Sequence, residues 1–336
     1  MFPAFYSVRI TPELLIPVYG MVMYFAYGFR LTYLAPRGVE LFALSSIIFW
    51  LGVIAGAFFT SRKPKLFKIT FIFPAIAYLI FPQFPFIGSF FLGIASGIFW
   101  TVMPAHFMLG TGHGKRSGLI TMVSIFTSFT VALIWGSLLS SHSHARISPY
   151  YALLSLLFLP LTFSSVFSFS HGVYFHRVFL IQFLAAYASI FGSVQGLLLF
   201  RMGLRTPSEL GSFIAASSLI TGILSYYLGH LTDKFGGRKE AIKALGVLLP
   251  PFYLYTINTK SVYGMLVSTS FISAIGSVAG SLALALQADY KLKGIESMAF
   301  RQYCYAVASI LAYIFSFNIF SLSFVGLVFS LLLLAL

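Results

Sequence analysis

The chain has 336 residues, 59% of them hydrophobic and 8% charged, with a net charge of +14 and a mean hydropathy of +0.94. A soluble domain carries roughly a quarter charged residues, so this chain is expected to be an integral membrane protein. In that setting the positive balance points to basic loops on one side of a bilayer and away from nucleic acid, for which there is no motif.

The single cysteine, Cys304, excludes an intrachain disulfide and a cysteine-based metal cluster. Met1 to Thr11 lacks the charged start and small-residue cleavage site of a secretory signal, so the first apolar run is expected to be retained. A bilayer-crossing helix needs about 20 mostly apolar residues. Apolar runs and turn breakers predict twelve spans: 13–34, 39–60, 67–82, 84–108, 118–140, 149–169, 177–202, 208–230, 240–257, 261–288, 299–316 and 318–336. The breaks between them are compact, as at Ala35-Pro36-Arg37-Gly38, Phe81-Pro82-Gln83-Phe84-Pro85 and Thr206-Pro207.

Charge supports this count. With the amino terminus inside, the inner loops hold fifteen Lys and Arg, Arg301 included, and the outer side holds six: Arg30, Arg37, Arg146, Arg201, Arg205 and Lys260. The positive-inside rule then predicts an even number of spans with both termini cytoplasmic.

A repeat is visible at about half the chain length. Phe29-Arg30 recurs as Phe200-Arg201, Glu40-Leu41 as Glu209-Leu210, Ser45-Ser46 as Ser217-Ser218, and Gly56 as Gly229, with offsets of 169 to 173. Gly93-x-x-x-Gly97 has a partner in Gly276-x-x-x-Gly280. Both pairs are expected to permit close helix packing. The order of these matches predicts two pseudo-symmetric six-helix bundles, residues 1–170 and 171–336.

The polar island Gly229-His230-Leu231-Thr232-Asp233-Lys234-Phe235-Gly236-Gly237-Arg238-Lys239 lies between two apolar runs. Its spacing, filled by Gly229, Asp233, Lys234, Gly236, Arg238 and Lys239, resembles the loop motif of the major facilitator superfamily of transporters. The resemblance implies an all-α membrane fold of about twelve helices and alternating access between two bundles. It also implies a conformational gate at this loop, with Asp233 accepting hydrogen bonds or pairing with arginine. The plainer alternative is a solvated basic loop that only sets topology. The first-half counterpart, Gly56 to Lys63, has Thr60 in place of the aspartate.

The resemblance further implies a central cavity lined by spans 1, 4, 7 and 10 and their neighbours 2, 5, 8 and 11. Buried polar groups in lipid are costly and usually face a cavity or a partner helix. The candidates are Tyr24, Tyr27 and Arg30 in span 1, and Trp100 and His106 in span 4. Span 7 offers Gln182, Tyr187, Gln195 and Arg201, and span 10 offers Gln287. Tyr24, Tyr27, Arg30, Trp100, Gln195 and Arg201 are the preferred substrate contacts. Arg30 and Arg201, equivalent in the repeat, are expected to face each other and to suit a carboxylate or phosphate. The competing role for each is an outer headgroup anchor, and for Gln195 an interhelical hydrogen bond.

None of the seven acids or seven histidines falls at mid-depth, so proton coupling has no visible carrier. There is no His-Glu-x-x-His, no Gly-x-Ser-x-Gly and no nucleotide-binding loop, so neither an enzyme nor an ATP-driven pump is expected. His142-Ser143-His144 lacks a third metal ligand. No cofactor is expected. The expected partners are membrane lipids and a small organic solute, preferably an anion. The protein is expected to be a monomer in the plasma membrane. The alternative is export of hydrophobic compounds or handling of lipid.

Overall fold

The computed structural model describes residues 15–107, 113–164, 176–232, 237–292 and 294–335. Among them every regular element is helical. The chain order is α1 (Leu15–Leu34), α2 (Val39–Arg62), a short 3-10 helix (Pro64–Ile69) leading into α3 (Ile72–Ile80), α4 (Pro85–Phe107), α5 (His113–Ser141), α6 (His144–Leu157) and α7 (Leu159–Ser164). It continues with α8 (Val178–Ser189), α9 (Phe191–Arg201), α10 (Pro207–Thr232), α11 (Arg238–Asn258), α12 (Val262–Asp289), α13 (Ile295–Phe315) and α14 (Ile319–Ala335). Taking α6 with α7 and α8 with α9 as single rods, these are twelve rods close to the expected boundaries. Among the described residues, seven helices are long and apolar enough to cross a membrane. Large apolar side chains such as Leu79, Leu157, Val247 and Phe320 are exposed around the outside, as a lipid-facing surface requires.

The interruptions have local causes. Pro160 removes one helix donor and disfavours helical backbone at Leu159, so the sixth rod breaks at Phe158. Pro74 lies in the first turn of α3, where a missing N–H costs least, and the third rod therefore starts late. The seventh rod breaks at Ile190 without a proline. There the Ser189 hydroxyl donates to the Ala186 carbonyl at 2.9 Å, competing with the backbone ladder. The Ser189 carbonyl accepts from Ser273 Oγ of α12 at 3.0 Å.

Helices α2 and α4 form the closest pair. A Cβ on Gly52 or Gly93 would strike the backbone of the other helix, and Gly56 and Gly97 face the Ile94 and Val53 carbonyls in the same way. This is the close packing expected of Gly93 and Gly97. Gly276 fills the corresponding role against the α8 backbone at Ser189, whereas Gly280 faces only the hydroxyl of Tyr305.

Helices α1–α7 and α8–α14 meet mainly where α5 packs on α10 and α2 packs on α13, with α4 also touching α13. In the α5–α10 seam Gly136 and Gly211 approach so closely that a Cβ on Gly211 would strike the α5 backbone and one on Gly136 would be tight against α10. The ends carrying Arg62, Lys63, Lys65, Lys68, Arg177, Arg238 and Lys239 lie on one side of the molecule, here the basic end.

Candidate functional site

Between the two helix sets lies a cavity of about 550 Å³. Its walls come from α1, α2, α4, α5, α8, α9, α10, α12 and α13, which are the first, second, fourth, fifth, seventh, eighth, tenth and eleventh rods. These are the rods the resemblance implied.

Arg30 lies on the far side of the cavity from the basic end. It is 4% exposed and sits a full turn inside α1. Its Nε donates to Ser45 Oγ at 3.2 Å and its Nη2 to Ser46 Oγ at 2.9 Å. Ser45 and Ser89 share a hydrogen bond of 2.7 Å, and Ser89 Oγ donates to the Pro85 carbonyl at 2.8 Å. One proton order satisfies this chain: Arg30 to Ser45, Ser45 to Ser89, Ser89 to the carbonyl. Every member after the guanidinium is neutral, so the charge is held in place but not compensated. The rings of Phe42 and Phe49 lie 5.7 and 5.0 Å from the guanidinium carbon.

Beside Arg30 the cavity is sealed. Tyr27 Oη donates to the Ser193 carbonyl at 2.6 Å and Tyr313 Oη to the same carbonyl at 3.3 Å. Phe42 meets both tyrosines edge-on, with centroids 6.0 Å from Tyr27 and 6.2 Å from Tyr313. One helix from the first set and two from the second are thereby tied at the first turn of α9, just past the break at Ile190.

Toward the basic end stands a second arginine. Arg301 of α13 lines the cavity, its guanidinium carbon 4.7 Å from the Tyr305 centroid and its Nε buried without a hydrogen-bond partner. The neighbouring Gln302 donates from Nε2 to the Trp100 carbonyl at 2.9 Å, joining α13 to α4. Arg30 and Arg301 are the charged residues of the lining, and among the described residues no carboxylate joins them. The remaining lining is mostly aromatic or hydroxylic. All three tryptophans of the chain, Trp50, Trp100 and Trp135, line it. Facing them are Ser189, Ser193, Ser217, Ser218, Ser273 and Ser277.

Of the residues singled out from the sequence, Tyr24, Tyr27, Arg30, Trp100 and Gln195 come together in this lining. Gln195 makes the interhelical hydrogen bond as well: its Nε2 donates to Thr269 Oγ1 at 2.8 Å, while its buried Oε1 has no partner. Arg201 does not join them. It is the last helical residue of α9, exposed, with its guanidinium on the Ser316 carbonyl and 5.8 Å from the Phe317 ring. The expected facing pair of Arg30 and Arg201 is therefore corrected: the repeat matches them in sequence, but one is a turn deeper than the other. Arg301, counted with the inner loops by its charge, is instead a cavity residue.

Gln182, Tyr187 and Gln287 also lie outside the lining. Tyr187 donates to the Leu322 carbonyl at 2.9 Å, and Gln287 donates from Nε2 to the Leu292 carbonyl at 3.2 Å, tying down the turn after α12. The side chain of His106 lies outside the described residues. His144 packs on α1, with Nε2 2.9 Å from Thr32 Oγ1, and no metal-binding cluster is found among the described residues.

Of the loop motif, Asp233, Lys234 and Gly236 lie outside the described residues, as does the surrounding of Gly229. Gly237 precedes α11, Arg238 pairs with Asp289 at the end of α12 and donates to the Ala285 carbonyl at 3.0 Å, and Lys239 lies 5.9 Å from the Tyr290 ring. These contacts fasten α11 to α12 within the second helix set.

No family profile matches the sequence, and no curated protein matches it. Solved structures do. The human organic anion transporter MFSD10 (TETRAN) superposes with a TM-score of 0.69 at 14% identity, covering 98% of this chain and 99% of its own. A D-xylose-proton symporter gives 0.69 at 13% identity, covering 96% of each chain. A point variant of the E. coli fucose:proton symporter FucP gives 0.64 at 14% identity and covers 97% of this chain and 98% of that one.

The chain has the major facilitator fold. Within that fold Arg301 is the lining residue that charge counting missed. The expected span opened at 299, two residues before Arg301, whereas α13 begins at Ile295 and carries the arginine about a turn deeper.

Proposed function

We propose that this protein is a secondary transporter that carries a small organic anion across the cell membrane by alternating access between two six-helix bundles, residues 1–170 and 171–336, with the basic end in the cytoplasm. The observation that carries the anion reading is the lining itself: two guanidinium groups and, among the described residues, no acid. Charge buried in a low-dielectric site without a counter-charge attracts an anion strongly. A guanidinium offers a fork of donors suited to a carboxylate or phosphate. One of the structural neighbours is an organic anion transporter, in keeping with this reading. The aromatic side of the cavity suits a substrate with a flat apolar body.

Purified protein in detergent is heated with a panel of aryl carboxylates, phosphates, sugars, amino acids and hydrophobic cations. A ligand that binds the folded state raises the unfolding temperature by mass action. Stabilisation by anions alone is expected; Arg30→Gln or Arg301→Gln should each reduce it, and the two changes together should abolish it. Flux of the stabilising anion in proteoliposomes then tests carriage. Stabilisation by sugars or cations with no anion response would remove the anion reading, and anion binding without flux would remove transport.

A further inference from the structure

The two arginines, Arg30 on α1 and Arg301 on α13, stand far apart along the cavity. The Phe42 ring lies 5.7 Å from the Arg30 guanidinium carbon and 6.2 Å from the Tyr313 ring, so Arg30 and Tyr313 share a level of the cavity. Arg301 lies on the same helix as Tyr313, twelve residues earlier in the unbroken run of α13. At 1.5 Å of rise per residue that is about 18 Å between the backbones of Arg301 and Tyr313, and about 12 Å from the level of Tyr305, on which the Arg301 guanidinium stacks. A solute of one ring and one carboxylate cannot span that length.

Resting on the anion reading above, we infer that the cavity holds two separate anion stations, one at Arg301 near the basic end and one at Arg30 beside the seal, which a singly charged aryl anion occupies in turn. The surroundings of the two differ in a way that fits different duties. Arg30 has two of its donors taken up by Ser45 and Ser46 and is held rigidly, with the Tyr27 and Tyr313 phenols at hand. An anion there sits against the groups that close the far end of the path. Arg301 has a stacked ring but a buried Nε with no acceptor, so this donor is free to take an anion arriving from the basic end. Between them the hydroxyls of Ser273, Ser277 and Ser281, spaced one helical turn apart on α12, provide neutral hydrogen bonds along the way.

The chain carries its own reporters. Trp100 lines the cavity and its backbone carbonyl accepts from Gln302, the neighbour of Arg301, while Trp135 packs against Gly28, two residues from Arg30. Two single-emitter proteins follow: Trp50→Phe with Trp135→Phe leaves Trp100, and Trp50→Phe with Trp100→Phe leaves Trp135. Each is titrated in detergent with para-nitrobenzoate, an anionic contact quencher, and with neutral para-nitrobenzamide. Saturable quenching by the anion is expected in both. Arg301→Gln should weaken it by about tenfold or more at Trp100 and leave Trp135 within about twofold. Arg30→Gln should do the reverse, and Arg30→Lys, which keeps the charge, should retain part of the Trp135 response if Gln is poorly folded. Loss at both emitters from either substitution would mean one shared site; two stations are then wrong and the anion reading stands. Quenching no stronger for the anion than for the amide, and indifferent to both arginines, would overturn the anion reading and the stations with it.

Discussion

The cavity wall made by α1, α2, α4 and α13 holds Arg30, Arg301 and most of the aromatic lining, from Tyr19 and Tyr24 to Trp100 and Tyr305. Among the described residues, the wall made by α9, α10 and α12 holds no aromatic or charged lining residue and is built on serine and threonine hydroxyls with Gln195 among them. The difference continues behind the lining. Behind the first wall, α2 and α4 meet backbone to backbone through four glycines. Behind the second, Ser217 meets Ser270 at 2.8 Å, Ser273 bonds the broken seventh rod, and Gln195 reaches Thr269. Glycine seams fix a distance, because any shift opens a gap or makes a clash. Hydroxyl contacts re-pair when a group rotates. The rigid wall is thus suited to reading charge and shape, and the hydroxylic wall to staying satisfied as helices slide.

The largest effect that can test this contrast is a change in the seams. Gly97→Leu would drive a side chain into the Val53 carbonyl, and backbone cannot step aside as a side chain can. The folded, monodisperse protein should be lost. The partner position in the repeat should behave differently. Gly280→Leu displaces only the Tyr305 hydroxyl, at a cost of about 1–3 kcal/mol. Equal loss of folded protein from both substitutions, measured by size-exclusion chromatography and melting, would remove the distinction between a fixed and an adaptable side.

A smaller effect is expected at the seal. Tyr27→Phe with Tyr313→Phe removes both hydrogen bonds to the Ser193 carbonyl but keeps the rings that meet Phe42 edge-on. Each bond contributes about 1 kcal/mol net, so the population opened away from the basic end should rise by about five- to thirtyfold. A cysteine placed at Ser46, in a Cys304→Ser background, reports the opening by its labelling rate from that side. An unchanged rate would mean that glycine contacts between α5 and α10 hold the far end closed unaided.

What the sequence allowed and what it hid follow from the same physics. Twelve rods were legible because apolar run length is a direct demand of the bilayer. The break at Phe158 has a visible cause in Pro160. The break at Ile190 has none, because it depends on Ser189 and Ser273, serines that look like any others until α8 and α12 are brought together. Tyr24, Tyr27, Arg30, Trp100 and Gln195 were found because depth and rod number place a residue roughly. Arg201 was misplaced and Arg301 overlooked for one reason: a single turn of helix decides whether a guanidinium reaches a headgroup layer or a cavity, and repeat offsets and charge counts are blind to one turn. Gln287, near the end of its span, was drawn off by a backbone carbonyl five residues away.

The least effect is expected from a single hydroxyl of the adaptable wall. Ser277 lines the cavity between Ser273 and Ser281, one turn from each along α12. Removing it as Ser277→Ala leaves neighbouring donors within reach of a bound carboxylate, and no buried group loses a partner shown for it. The net worth of one neutral hydrogen bond, about 0.5–1.5 kcal/mol, is therefore an upper bound, and replacement by a neighbour should bring the loss of anion affinity below about threefold. The triple change of Ser273, Ser277 and Ser281 to Ala removes the substitutes together, so its cost should exceed the sum of the three single changes, since coupled sites do not add. If the three losses simply add in the same fluorescence titration, each serine holds the anion alone, and the hydroxylic wall is then as tied to one geometry as the arginine wall opposite.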